Sequence, residues 1–171
     1  MLAVSGGLPG TGKTTIARAV AARCRAVYIR VDAIEQAVRS AGVLASPGGV
    51  GPAGYMAAYA LAAANLRLGL AVVADCVNPL RATREAWRGV AAPGSTLEIE
   101  VVCSDRAEHR RRVEKRESDF PGLVPPTWSS VSRHEYEPWT EPRLVLDTAR
   151  LCAEDAASRV CDEIAARREE R

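Results

Sequence analysis

The sequence predicts a three-layer α/β fold, with a five-stranded parallel sheet and helices on both of its faces. Short apolar runs alternate with helical patterns along the chain, and this alternation is typical of a parallel, doubly wound sheet. A glycine-rich loop joins the first strand to the first helix. A length of 171 residues and 47% hydrophobic composition fit one globular domain over residues 1–171.

Each predicted element follows from its residue pattern. Strands are predicted at residues 2–5, 26–31, 70–75, 97–103 and 144–147. Helices are predicted at 14–25, 32–40, 52–68, 81–92, 105–115, 128–136 and 153–168. Proline- and glycine-rich loops are predicted at 45–52 and 120–126. Residues 51–66 carry no charge, and we interpret them as a buried helix, since the run is too short and too alanine-rich to span a bilayer.

The glycine-rich loop satisfies the pattern G-x-x-x-x-G-K-[ST] of a phosphate-binding loop, which predicts a P-loop NTPase fold. Its glycines let several backbone N–H groups point at one anion, and the helix that follows adds its positive N-terminal end. A simple glycine-rich turn is disfavoured because a strand precedes the loop and a helix follows it. The predicted ATP-binding residues here are Gly7, Leu8, Pro9, Gly10, Thr11, Gly12, Lys13, Thr14 and Thr15.

Acidic residues end three of the predicted strands, at Asp32, Asp75 and Asp147. Parallel sheets bind ligands beyond the carboxyl ends of their strands, so all three could face the phosphates. We expect Asp75 and the Thr14 hydroxyl to hold Mg²⁺; the alternative for Asp75 is a local strand-end hydrogen bond. Cys76 stands where hydrolytic motor ATPases commonly carry a glutamate, which argues against a motor.

Asp32 is the candidate general base, because a carboxylate above the γ-phosphate can accept a proton from an attacking hydroxyl. The alternative is a helix capping box formed by Asp32 and Glu35. An aspartate can serve in both ways, and Asp32 and Glu35 are both predicted to bind substrate.

Three further residues are predicted to bind substrate. Asn78 and Arg81 follow the third strand, where an amide and a guanidinium could hold a hydroxyl or a phosphate, although Asn78 also begins a plausible turn with Pro79. Tyr55 lies near the predicted acceptor site, although a tyrosine in such a helix is more often a core residue.

The densest charge in the chain lies in residues 109–117. On a helix, His109, Arg112 and Arg116 share one face. We predict a lid over about residues 105–127, from which Arg112 or Arg116 neutralises the transferring phosphoryl group; the alternative is a solvated, charge-paired helix. His109 and His134 have no triad or metal-ligand spacing around them and are interpreted as surface residues.

Composition indicates which partners and which cellular compartment to expect. A formal net charge of +2 gives no support for nucleic acid or a membrane as partner. Five scattered cysteines without a C-x-x-C pair favour reduced thiols in a cytoplasmic protein. The chain runs straight into its first strand, so no signal peptide is expected. The sequence does not indicate an oligomeric state.

The whole chain resembles a small P-loop kinase of the group that contains chloramphenicol phosphotransferase, the kinase domain of polynucleotide kinases and AAA-type ATP-binding proteins. The resemblance is carried by residues 7–14, 31–35, 72–75 with Asn78 and Arg81, and 110–116. It implies that Asp32 is the base, that an arginine-bearing lid covers ATP, and that Thr148 and Arg150 lie against the adenine. Polynucleotide kinases carry an arginine where Glu35 stands, so the resemblance favours a small alcohol as acceptor.

The expected activity is ATP- and Mg²⁺-dependent transfer of the γ-phosphoryl group to a hydroxyl of a small molecule such as an antibiotic, a nucleoside or a sugar-like compound. One alternative is a polynucleotide or nucleotide kinase. The other, from a different class, is a nucleotide-binding regulatory protein with slow hydrolysis. The acceptor itself is not identifiable from the sequence.

Overall fold

The structure, a computed structural model, describes residues 1–42, 50–118 and 124–169. The strands are β1 (Leu2–Gly6), β2 (Val27–Arg30), β3 (Val72–Asp75), β4 (Thr96–Val102) and β5 (Leu144–Asp147). The helices are α1 (Lys13–Cys24), α2 (Val31–Ser40), α3 (Ala53–Arg67), α4 (Arg81–Val90), α5 (Arg106–Lys115), α6 (Trp128–Ser132) and α7 (Ala153–Glu169).

The five strands form one parallel sheet in the order β2-β3-β1-β4-β5, which confirms the predicted fold class. Its register aligns the carboxyl ends of three neighbouring strands. Ser5 of β1 pairs with Asp75 of β3, and Asp75 also pairs with Arg30 of β2. The sheet therefore brings the residues after β1, β2 and β3 together at one edge.

The two faces of the sheet have separate cores, because successive side chains of a strand point in opposite directions. Ala3 and Val73 face α1 and α7, where they pack with Val20 and Val160. Leu2, Val4, Val72 and Ala74 face the other way and pack with residues of α3 and α4, among them Ala58, Ala62 and Trp87. The result is the predicted three-layer arrangement.

Two predicted helices differ from the observed ones. The helix predicted at 128–136 ends at Ser132. Beyond it, the Glu137 N–H donates to the carbonyl oxygen of Pro79, and the carbonyl oxygens of Glu137 and Pro138 accept from Arg84, so these backbone groups do not continue the helix. The capping box, which was the alternative to the general-base role of Asp32, is absent. Helix α2 begins at Val31 directly from β2, so Asp32 lies inside the first turn, and the N-cap residue Arg30 makes no side-chain capping bond.

Helix α3 is only partly buried, so its interpretation as a buried helix is wrong. Gly54, Ala58 and Ala62, spaced one turn apart, face the core, whereas Met56 is 61% exposed. The uncharged run reflects an alanine-rich outer face instead of burial on all sides. In the described part of the chain, no helix is both long and apolar enough to cross a membrane. The predicted loops at 45–52 and 120–126 fall largely on residues 43–49 and 119–123, outside the described residues.

Candidate active site

The phosphate loop follows β1 directly and ends where α1 begins at Lys13. Its path requires glycine at two positions in particular. At Gly7 an added Cβ would lie 2.3 Å from the Val101 carbonyl oxygen, and the Gly7 N–H donates to the Val77 carbonyl oxygen at 3.0 Å. Gly10 has a φ of 86°, a left-handed conformation that strains other residues. The loop is thus fixed by backbone contacts on both of its sides.

Helix α5 packs against this loop. An added Cβ at Gly10 would lie 2.5 Å from Cγ2 of Val113, and the ring Nε2 of His109 lies 2.8 Å from the Pro9 carbonyl oxygen. His109 is buried, with the Trp128 ring against its edge at a centroid distance of 5.2 Å. The prediction that His109 is a surface residue is therefore wrong: it faces the phosphate loop because α5 docks there. His134, in contrast, is exposed as expected.

Replacing Gly10 by alanine should destabilise the protein. The new methyl group would meet Val113 and force a side chain into the left-handed region, which together cost roughly 2–5 kcal/mol of unfolding free energy. Urea unfolding measures this loss. Gly89→Ala is the matched control, since Gly89 is exposed on α4 with open space around its Cα. Equal stability of the two variants would contradict the packing of α5 on the loop.

Asp75 is buried at the centre of the sheet edge. Its Oδ2 accepts a hydrogen bond from the Tyr28 hydroxyl at 2.7 Å and lies 3.8 Å from Nε of Arg30. Burial and the neighbouring Asp75 carboxylate raise the pKa of Tyr28, so this phenol remains a proton donor. Among the described residues, Oδ1 of Asp75 has no hydrogen-bond partner although it is buried. One oxygen is thus held by Tyr28, and the other has no partner among the described residues.

Asp32 and Glu35 lie one turn apart on α2. The Asp32 carboxylate is 3.5 Å from the Arg30 guanidinium, which thereby contacts both Asp32 and Asp75. Glu35 accepts from Arg39 at 3.3 Å, and its side chain lies against the backbone of Gly54 in α3. Burial is the main cause of the raised pKa of Glu35.

The largest charge concentration surrounds a cavity beside the phosphate loop, here called the phosphate-loop cavity. Its volume is about 450 Å³, and six of its eleven lining residues are lysine or arginine. Such a surface suits a polyanion. The lining residues are Gly10, Gly12, Lys13, Thr14, Thr15, Arg18, Arg111, Arg112, Lys115, Arg116 and Glu117.

A second cavity, the Thr148 cavity, adjoins the first through Gly12, Thr15 and Arg112 and has a volume of about 510 Å³. It is lined by residues 148–153, which follow β5. Arg150 lies at its rim with its side chain 82% exposed and 3.4 Å from Asp147. The Asp147 carboxylate accepts from both the hydroxyl and the N–H of Ser104, which lowers its pKa.

A third, smaller cavity, the Asp32 cavity, lies on the other side of Lys13. Its volume is about 150 Å³, and its lining includes Asp32, Glu35 and Arg39 together with Pro9, Val77 and Pro125. Lys13 and Arg116 line both this cavity and the phosphate-loop cavity. The two spaces therefore meet at a pair of cations.

The two candidate arginines have different surroundings: Arg112 lies within α5, whereas Arg116 follows its last residue and has an extended backbone, so the prediction that both share one helix face is wrong. All parts of the Arg112 guanidinium are engaged: Nε donates to Glu108 at 2.7 Å, and the two terminal nitrogens donate to Oγ1 and the carbonyl oxygen of Thr148 at 2.8 and 3.1 Å. The Arg116 guanidinium has no ion-pair or hydrogen-bond partner among the described residues. Arg112 thus ties α5 to Thr148, whereas Arg116 is available to a ligand.

The remaining predicted substrate residues lie outside the lining of these three cavities. Asn78 is fully buried with a φ of 52°, and its side-chain oxygen accepts from Thr83 at 2.9 Å. The Tyr55 hydroxyl accepts from the Asn78 N–H at 2.9 Å. Arg81 is exposed and pairs with Glu85 at 3.1 Å.

One supporting residue that sequence reasoning missed is Arg84. Its guanidinium is completely buried, donates to four carbonyl oxygens and stacks 4.4 Å from the centre of the Trp139 ring. The four acceptors belong to Asn78, Pro79, Glu137 and Pro138. Arg84 thereby fixes the turn after β3. No sequence signal distinguishes it from Arg81, an exposed arginine of the same helix.

Comparison with known proteins identifies the family of this chain. Residues 2–123 match the model of an AAA domain family. None of the curated proteins compared with the sequence matches it. The part of the chain matched by the family model contains the phosphate loop, Asp32, Asp75 and α5.

Solved structures share the fold over nearly the whole chain. A sugar kinase from Janibacter sp. is 21% identical, with 96% of this chain and 95% of that chain covered and a TM-score of 0.66. A gluconokinase from Sinorhizobium meliloti is 21% identical, with 96% and 91% covered and a TM-score of 0.65. The Mycobacterium tuberculosis APS kinase, in complex with AMPPNP and APS, is 17% identical, with 96% of each chain covered and a TM-score of 0.66. The chain therefore belongs to the AAA domain family.

Proposed function

We propose that this protein is an ATP- and Mg²⁺-dependent kinase that transfers the γ-phosphoryl group to a hydroxyl of a small molecule. The observation that carries the proposal is the meeting of two cavities at Lys13 and Arg116. The larger cavity is suited to a polyphosphate, and the smaller one contains Asp32. A donor and an acceptor bound in these two spaces would be separated only by the cations that stabilise a transferring phosphoryl group.

On the donor side, the loop amides and Lys13 hold the phosphates. The Thr148 cavity, with Arg150 at its rim, takes the nucleoside. The family match and the names of the similar structures, which include sugar kinase, gluconokinase and APS kinase, support ATP as the donor. Arg112 joins α5 to Thr148 and thereby stabilises the wall that the phosphate-loop cavity shares with the Thr148 cavity.

The residues that would hold Mg²⁺ fit a hard cation. Asp75 offers a buried carboxylate oxygen that has no hydrogen-bond partner among the described residues, and Thr14 at the start of α1 offers a hydroxyl. When bound, Mg²⁺ neutralises charge on the β- and γ-phosphates. Tyr28 and Arg30 keep the other Asp75 oxygen in place.

On the acceptor side, Asp32 takes the proton of the attacking hydroxyl. The hydroxyl oxygen forms a bond to the γ-phosphorus, the bond from the γ-phosphorus to the β,γ-bridging oxygen breaks, and ADP leaves. Arg116 stabilises the charge on the transferring group because its guanidinium has no other described partner. The products are ADP, the phosphorylated alcohol and one proton.

An ADP-release screen tests the proposal. The panel comprises nucleosides, sugars, aminoglycosides, phenicols and 5′-hydroxyl oligonucleotides, each added with ATP and Mg²⁺. We expect at least one small alcohol to raise ADP release well above the rate with ATP alone. Stimulation by oligonucleotides alone would instead identify a polynucleotide kinase. Release that no acceptor changes would favour a nucleotide-binding regulatory protein.

A further inference from the structure

The size of the Asp32 cavity limits the acceptor. Its volume of about 150 Å³ is well below the roughly 300–1,000 Å³ of pockets for drug-sized ligands. A cavity of that volume accommodates a compound of about six non-hydrogen atoms. Its described lining combines apolar residues, among them Pro9, Val77 and Pro125, with polar and charged ones. In so small a space, the charged groups have a large influence on which alcohol binds.

The charge of this cavity differs from that of the phosphate-loop cavity. Lys13 and Arg116 lie at the boundary, where the phosphates require them. Away from that boundary, the charged residues in the described part of the lining are Asp32, Glu35 and Arg39. Arg39 is paired with Glu35, and Arg30 is shared between Asp32 and Asp75, so these three carboxylates are balanced by only two described arginines. An anionic acceptor would add negative charge next to these carboxylates and the γ-phosphate.

Glu35 is held so that it can receive a ligand. Its side chain packs against Gly54, where an added Cβ would lie 2.3 Å from the Glu35 Cγ, so its position between α2 and α3 is fixed. Oε2 accepts from Arg39, whereas no described residue donates a hydrogen bond to Oε1. A half-buried carboxylate with an unused oxygen favours a charged hydrogen-bond donor.

We propose that the acceptor is a small alcohol that also carries an amine, with its hydroxyl at Asp32 and its ammonium group at Glu35. This inference rests on the proposed kinase function and specifies its substrate class. Residues at i and i+3 of a helix have Cβ atoms about 5–6 Å apart. A hydroxyl and an amine separated by a few bonds can therefore reach both carboxylates.

Three alcohols of similar size and different charge test this proposal: 2-amino-1,3-propanediol, glycerol and glycerate. We expect kcat/KM to be highest for the amine and lowest for the anion, with a preference of about tenfold for the amine over glycerol, as one charge-assisted hydrogen bond provides. Glu35→Gln should remove most of that tenfold preference. Glu85→Gln, an exposed site on α4, should keep it.

The outcomes separate this inference from the kinase proposal. Phosphorylation of glycerol or glycerate in preference to the amine would overturn the inference and leave the kinase function intact. If no compound is phosphorylated, the inference is tested by binding instead. The amine is titrated into the protein bound to a non-hydrolysable ATP analogue. Binding that Glu35→Gln weakens about tenfold supports the inference; absence of binding, or binding that the variant leaves unchanged, overturns it.

Discussion

Replacing Asp32 by asparagine is expected to slow phosphoryl transfer by about 10²–10⁴-fold, the usual contribution of a positioned general base. The amide keeps the size of the carboxylate but no longer takes a proton from the attacking hydroxyl. Affinity for ATP should change little, because Asp32 lines the Asp32 cavity and not the phosphate-loop cavity. Single-turnover phosphoryl transfer and fluorescent-nucleotide binding measure the two effects separately.

Two further variants serve as controls for this result. Asp162→Asn changes an exposed carboxylate of α7 and should leave the rate of transfer unchanged. Lys13→Ala should abolish nucleotide binding or turnover, because Lys13 is buried at the boundary between the two cavities. Full activity of the Asp32→Asn variant would show that Asp32 is not the general base and that its role on α2 is structural.

Replacing Arg116 by alanine is expected to slow transfer by about 10³-fold while ATP affinity falls much less, as for an arginine that acts on the transition state. The reason is its position at both cavities without a competing partner among the described residues. Pre-steady-state kinetics with saturating ATP isolates this effect.

The neighbouring arginines supply the controls. Arg112→Ala should mainly lower the free energy of unfolding, by roughly 1–3 kcal/mol, because it removes hydrogen bonds to Thr148 and Glu108. Arg110→Ala should change neither the rate of transfer nor the free energy of unfolding, since Arg110 is exposed and paired with Glu114. If Arg112→Ala slowed phosphoryl transfer and Arg116→Ala mainly lowered the free energy of unfolding, the assignment of Arg116 as the arginine that stabilises the transferring group would be wrong.

The parts of the structure that sequence predicts well are those with local causes. The phosphate loop is such a case, since its glycines, Lys13 and the following helix are consecutive in the chain. The five strands were predictable for the same reason: each is a short apolar run between turns or helices. Parallel pairing then follows from their alternation with helices.

Features that depend on tertiary contacts were not predictable. Nothing in residues 105–116 reveals that His109 and Val113 pack on the phosphate loop, because their partners lie about 100 residues earlier in the chain. Likewise, the sequence does not reveal that Arg112 donates to Thr148, a residue 36 positions later in the chain. The roles assigned to Asp32, Arg116 and the Mg²⁺ ligands stay predictions until they are tested.

The fate of the γ-phosphoryl group tests the kinase proposal most directly. The protein is incubated with γ-labelled ATP, Mg²⁺ and a small alcohol that stimulates ADP release, and the labelled products are separated. We expect the label to appear on the alcohol in proportion to the ADP formed, and we expect the Asp32→Asn variant to lose this product. Label found only in inorganic phosphate, at a rate that no alcohol changes, would contradict it.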